Sequence, residues 1–229
     1  MEHFSTTSSQ PLSLSASTQS QVYGLFAVAM ALTFIGVFVA MSFIQPLMST
    51  GFYLVLTIAE LAIIFTSQWW SKTSPLNYIL FGLFPLLSGI TITPYMLMIA
   101  AGYANGGQIL LNAVGATVCM SLAAVVLARI APNLAAWGRA LVFAVIGLIV
   151  LSVLQIFVPA LQTQGAELFI SGIGVVIFGL FTAFDLQRIE AQGRLGANPF
   201  MLTLSLYLDI FNLFLYILRF MTALSGDRR

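Results

Sequence analysis

The 229-residue sequence predicts an all-α integral membrane protein with seven transmembrane helices. Three observations carry that expectation. The chain is 60% hydrophobic and only 7% charged, against about 25% charged for a soluble domain. Its mean hydropathy is +1.02. Its apolar residues fall into seven segments, 22–43, 51–70, 75–101, 107–130, 137–159, 167–186 and 199–224, each at or above the ~20 residues that span a bilayer as a helix. Eight Lys and Arg stand against seven Asp and Glu, so few basic residues remain to meet phosphates and no nucleic-acid partner is expected.

Residues 1–20 are rich in Ser, Thr and Gln without Lys or Arg. They read as a flexible N-terminal tail rather than a secretory signal, which needs a positive n-region. Residues 21–224 form the transmembrane domain, and 225–229 a short C-terminal tail. Turn chemistry separates the helices: Gln45-Pro46, Thr73-Ser74-Pro75, Asn105-Gly106-Gly107, Pro132-Asn133, Gln164-Gly165 and Gly196-Ala197-Asn198-Pro199. Tyr23, Trp69, Trp70 and Trp137 sit at segment ends, as an interfacial aromatic belt requires. Segment 3 contains Pro85 and Pro94, so a kink or break is expected there.

Scarce residues exclude most chemistry. Cys119 is the single cysteine and His3 the single histidine. Disulfides, thiolate clusters, Ser-His hydrolysis, an HExxH metalloprotease and a bis-histidine haem are excluded. Cys119 reads as a small packing residue. The only lysine, Lys72, lies at a helix end, which excludes a Schiff base in the last helix. No enzyme and no cofactor are expected.

Basic residues set the orientation. Lys72, Arg129, Arg139, Arg188 and Arg194 all fall in or beside the loops after helices 2, 4 and 6, and only Arg228 and Arg229 lie opposite. The positive-inside rule puts the N-terminus in the cytoplasm and the C-terminus outside.

A charge at mid-bilayer costs at least ~2.5–3.5 kcal/mol, which makes intramembrane ionisable residues functional candidates. Four qualify: Glu60 in helix 2, Asp185 near the end of helix 6, and Asp209 and Arg219 in helix 7. Three acids against one base attract protons and cations. Ser205, Asp209, Asn212, Tyr216 and Arg219 are spaced 4, 3, 4 and 3, which places them on one helical face. A polar stripe on a spanning helix cannot face lipid, so helix 7 belongs inside the bundle with the stripe lining a path or cavity. Ser171, Gly174, Phe178, Thr182 and Asp185 repeat the pattern on helix 6, and Thr57, Glu60, Ile64, Ser67 and Ser71 on helix 2.

Two neighbouring carboxyls in a low dielectric share a proton rather than both ionising. An Asp185–Asp209 contact would be a latch when protonated. When ionised it would repel itself, or take a hard cation such as calcium. The helix macrodipole at the end of helix 6 acts on Asp185 in the same sense. Depth opposes the contact: Asp185 is three residues from Arg188 but Asp209 is ten into helix 7, a mismatch of roughly 10 Å at 1.5 Å per residue. Each residue also has a structural reading. Asp209 could be satisfied by Ser205 or Asn212, Asp185 by Arg188, and Glu60 by a neighbouring helix. Arg219 and Arg188 read as structural charges, Arg219 pairing with Glu167 or reaching the interface. Asn212 and Tyr216 could bond within the bundle.

The stretches Phe181-Thr182-Ala183-Phe184-Asp185-Leu186-Gln187-Arg188-Ile189 and Leu204-Ser205-Leu206-Tyr207-Leu208-Asp209-Ile210-Phe211-Asn212-Leu213-Phe214-Leu215-Tyr216-Ile217-Leu218-Arg219 resemble the two signature regions of the Bax inhibitor-1 (transmembrane Bax-inhibitor-motif) family. Gln21-Val22-Tyr23-Gly24 and Gly89-Ile90-Thr91-Ile92-Thr93 add weaker similarity in the same order. The resemblance implies seven helices around a central helix 7, and a pH-sensitive calcium leak with Asp185 and Asp209 as sensor and gate. Glu60, Ser205, Asn212 and Tyr216 would line the ion path. Bacterial leak members can hold the pair with an arginine late in helix 2, whereas residues 66–71 here contain none. A second reading is an interaction protein that modulates a membrane quality-control protease, as some bacterial relatives do. A proton-coupled transporter is a third, opposed by the lack of an internal repeat of broken helices. The short loops look bacterial, which suggests the inner membrane. The expected partners are the lipid bilayer, calcium ions and protons, with calcium permeant or transiently bound.

Overall fold

A computed structural model describes residues 17–47 and 49–226. Among them the structure is helical without strands. The main helices are α1 (Thr18–Met41), α2 (Thr50–Phe65), α3 (Leu76–Gly102), α4 (Gly106–Ile130), α5 (Gly138–Phe157), α6 (Gln164–Gly193) and α7 (Pro199–Ser225). Among the described residues, α1, α3, α4, α6, α7 and the stretch Leu134–Phe157 that contains α5 are long and apolar enough to cross a membrane. The chain is an integral membrane protein by that measure.

The second segment is the exception. It does not run unbroken to residue 70: α2 ends at Phe65 and a separate turn, Ser67–Trp70, follows. The Thr66 hydroxyl donates to the Ala62 carbonyl at 2.6 Å, and the Trp70 indole N–H to the Ile63 carbonyl at 2.8 Å. The indole thus satisfies a carbonyl that a continuing helix would have used, while the Ala62 carbonyl keeps its bond from the Thr66 amide and gains the hydroxyl as a second donor. Trp70 is consequently buried rather than part of an interfacial belt, whereas Tyr23, Trp69 and Trp137 are exposed at helix ends.

Other boundaries follow from local chemistry. Ser17 caps α1 through its hydroxyl, which accepts from the Ser20 amide at 3.2 Å. Helix therefore begins inside the stretch expected as tail, while His3 lies outside the described residues. Asn198 caps α7 by accepting from the Phe200 amide at 2.9 Å, with Pro199 at the first helical position, where a missing N–H costs nothing. α3 continues through both Pro85 and Pro94 without a break. Cys119 is exposed on α4 and is not a packing residue.

The most buried helices are α3 and α7. α7 packs against α1, α3, α4 and α6, and reaches α5 through Tyr216 and Arg219. α2 packs on the outer side of α3. α1 and α3 cross where Gly36 meets Gly89. A Cβ on either glycine would collide with the other helix's backbone, at the Leu86 and Thr33 carbonyls, so the crossing depends on small residues as in other membrane bundles. Large apolar side chains such as Phe143 and Phe157 on α5 face outward, where the bilayer is.

Hydrogen bonds between loops show which ends lie together. The Gln187 amide donates to the Ala128 and Ala131 carbonyls at 2.9 and 3.2 Å, tying α6 to the α4–α5 connection. The Asn198 amide donates to the Ser71 carbonyl at 2.9 Å, tying the start of α7 to the α2–α3 connection. Lys72, Arg129, Arg139, Arg188 and Arg194 gather at this end, and the start of α1 lies here beside Gly193. The end of α7 lies opposite, where the Gln164 amide donates to the Ala223 carbonyl at 2.7 Å.

Candidate functional site

The polar stripe of α7 lies against α6. The matching α6 residues, Ser171, Gly174, Phe178, Thr182 and Asp185, are all buried. At the level of the aspartates, the Asp185 and Asp209 carboxyls face each other, with the Ser205 hydroxyl beside Asp185. Asp185 is 1% exposed and Asp209 7%. Arg188 Nη1 donates to Asp185 Oδ1 at 3.0 Å and lies 3.5 Å from the Ser205 hydroxyl.

The depth mismatch disappears because α6 is longer than expected. It runs to Gly193, eight residues past Asp185, while Asp209 lies ten residues after Pro199. At 1.5 Å per residue the two sit roughly 12 and 15 Å from the ends of their helices. The same extension corrects the macrodipole argument: Asp185 is more than two turns from the C-terminus, beyond the last turn where that effect acts. The cation beside the pair comes from the next turn of α6, as Arg188, and not from α2.

The charge count of this cluster is its main chemical feature. Two carboxyls face one guanidinium. Oδ2 of each aspartate is buried and receives no hydrogen bond from any described donor. One proton between the carboxyls would satisfy both oxygens and bring the cluster to neutrality, since buried polar atoms require partners. As a metal site the cluster is thin: among the described residues no group of three or more His, Cys, Asp or Glu side chains could hold an ion.

The lower part of the stripe is engaged with protein. Asn212 donates to the Leu208 carbonyl of its own helix at 2.7 Å. Tyr216 stacks on Phe178 with ring centroids 5.5 Å apart and lies 3.3 Å from the Ser152 hydroxyl. A side chain at Gly174 would collide with that ring. Arg219 grips Glu167 with two bonds, 2.7 and 3.0 Å, and donates to Gln155 at 2.8 Å. Its guanidinium also lies 5.3 Å from the Tyr216 ring centre.

Glu60 is not part of this cluster. Its carboxylate accepts from Thr91 at 3.0 Å and contacts the Ser88 hydroxyl, which in turn contacts Tyr207. The Tyr207 hydroxyl is 2.8 Å from that of Thr33. This chain joins α1, α2, α3 and α7. Tyr207 and Asp209 are two residues apart, roughly 200° around the helix, so the body of α7 separates Glu60 from the aspartates. Ser88, Thr33 and Tyr207 were not singled out from sequence. A lone hydroxyl in an apolar helix gives no period to read.

Comparison with known proteins fits this arrangement. The family described as inhibitor of apoptosis-promoting Bax1 matches residues 16–226. Inner membrane protein YbhL of Escherichia coli K12 is 29% identical over 226 residues, covering 92% of this chain and 91% of its own. An uncharacterized protein of Campylobacter jejuni is 28% identical over 212 residues, covering 90% and 88%. One of Helicobacter pylori is 30% identical over 205 residues, covering 89% and 85%.

Proposed function

The chain belongs to the Bax inhibitor-1 family, and from that premise we propose that it is a pH-sensitive calcium leak channel gated by Asp185 and Asp209. The single observation that supports this reading is the pair of facing buried carboxyls with one cation and two unsatisfied oxygens. With one shared proton the pair bonds α6 to α7, and together with Arg188 the cluster is neutral. Without it, two like charges face each other in low dielectric, which pushes the helices apart and offers oxygen ligands to a divalent cation. Ser205 borders the pair. The hydroxyls of Thr91 and Ser88 at Glu60 form a second polar step on the other side of α7. The protein sits in the bacterial inner membrane, as YbhL does by name, with its basic end and N-terminus in the cytoplasm.

The test is calcium entry into dye-loaded liposomes carrying the purified chain, from about pH 5 to 8, for wild type and Asp209→Asn. Flux should rise with pH in wild type and lose that dependence in the variant. A wild-type pH profile after both aspartates are replaced sinks the gate. No flux above empty liposomes at any pH sinks the channel.

A further inference from the structure

A cleft of about 480 Å³ runs between α1 and α4, within the ~300–1,000 Å³ range of small-ligand sites. Met30 and Phe34 of α1 and Val118 and Leu122 of α4 form its walls, and Ile210 and Phe214 of α7 its floor. Phe34, Val118 and Leu122 are themselves exposed, so the cleft is continuous with the surface that faces the bilayer. Its hydroxyls are mostly spent: Thr117 and Thr182 donate to carbonyls of their own helices, Thr33 is bonded to Tyr207, and the buried Ser121 hydroxyl is a single polar atom without a partner among the described residues. Such a lining does not hold ordered water, which needs two or more polar partners.

Length and charge identify the occupant. The cleft extends along α1 from Tyr23 to Val37, fourteen residue steps or roughly 21 Å. One leaflet's hydrocarbon is about 15 Å deep, so a chain entering from either surface would be covered throughout. The two ends differ. Val125 lines the basic end, and Arg129 follows one turn later, in the last turn of α4. Among the described residues no acid pairs with Arg129, Lys72 or Arg139. Tyr23 stands at the same end of the cleft.

We propose that this cleft binds one acyl chain of an anionic phospholipid from the leaflet at the basic end, with the headgroup phosphate held at Arg129 and Tyr23. The site is built from geometry that is independent of the aspartate gate, so either can fail alone.

The experiment uses the full chain in vesicles of mixed phosphatidylglycerol and phosphatidylcholine, each in turn carrying a diazirine on its acyl chain. Labelling by phosphatidylglycerol should concentrate on Phe34, Val118 and Leu122 over the outward residues Phe143 and Ile149 of α5. Native mass spectrometry should retain one phosphatidylglycerol per chain. Val118→Trp, which fills the cleft from an exposed position, should lower retention about tenfold, the equivalent of ~1.4 kcal/mol. Arg129→Gln should let phosphatidylcholine compete equally. Labelling spread evenly over α1, α4 and α5 overturns the proposal, as does a copy of the same chain cross-linked across the cleft. If Val118→Trp does not fold, the wild-type labelling map decides alone.

Discussion

Arg219 and Glu167 provide the sharpest test of which intramembrane charges hold the fold and which work. Their side chains are 24% and 25% exposed, with the closest contact at 2.7 Å and a second at 3.0 Å. At an effective dielectric of about 20, a unit pair at that separation attracts by roughly 5–6 kcal/mol before desolvation. Losing hydration offsets much of it, and breaking a fully buried pair costs about 3–5 kcal/mol. For a partly exposed bidentate pair, Glu167→Gln should therefore destabilise by about 2–3 kcal/mol. Gln155 and the Tyr216 ring remain to hold Arg219, which keeps the loss below the buried limit. The assay is unfolding of the detergent-solubilised chain for wild type, Glu167→Gln, Arg219→Met and the double variant. The cycle should return a coupling of about 1–3 kcal/mol. The pH profile of calcium flux should stay where it was, because this cluster already balances one cation against one anion. A coupling near zero would refute the ion pair as a structural clamp. A lost pH response in Glu167→Gln would refute the separation of clamp from gate.

Three further outcomes follow from the same geometry. Arg188→Gln removes the only cation beside the pair among the described residues; a positive charge favours ionised carboxyls, so the variant should keep a pH-dependent flux that rises only at higher pH. Gly89→Val forces a side chain into the Thr33 carbonyl, which should cost about 1–3 kcal/mol as overpacking and lower the melting temperature in detergent; an unchanged melt would contradict the close crossing of α1 and α3. Asn198→Ala removes the cap of α7 and the bond to the Ser71 carbonyl, worth about 0.5–2 kcal/mol for the cap, and amide exchange should accelerate at Phe200 and Met201 first.

The polar stripes on helices 6 and 7 were legible because a spanning helix must hide such residues, and their 3- and 4-residue spacing fixes the face. Composition was enough for the fold class. What escaped was length past the apolar run. Residues 187–193 are polar enough to end a hydropathy segment, yet they continue α6, held by Gln187 to the α4–α5 connection. That extension moves Asp185 away from the helix end and level with Asp209. The break in α2 escaped for the opposite reason: apolar residues continue through it, and the cause is a hydroxyl and an indole bonding backwards. Glu60 showed as an intramembrane acid. Its separation from the aspartates depends on which side of α7 it packs against, which no single segment encodes.

Charge balance then distinguishes three acidic sites in one bundle. Glu167 has a full counter-ion and a side-chain amide, so protonating it would break bonds that exist. Glu60 has no counter-ion among the described residues, but the Thr91 hydroxyl donates to it. The Asp185–Asp209 cluster is the one where a proton creates a bond instead of removing one, because two carboxyl oxygens lack donors and the net charge is one too negative. Proton sensitivity should therefore follow the aspartates. Asp185→Asn should leave the pair bonded at every pH, through an amide that donates to Asp209 as the shared proton would. The latch should then stay closed across the whole pH range. Flux through Asp185→Asn that still rises with pH would place the sensor elsewhere, with Glu60 next to be tested.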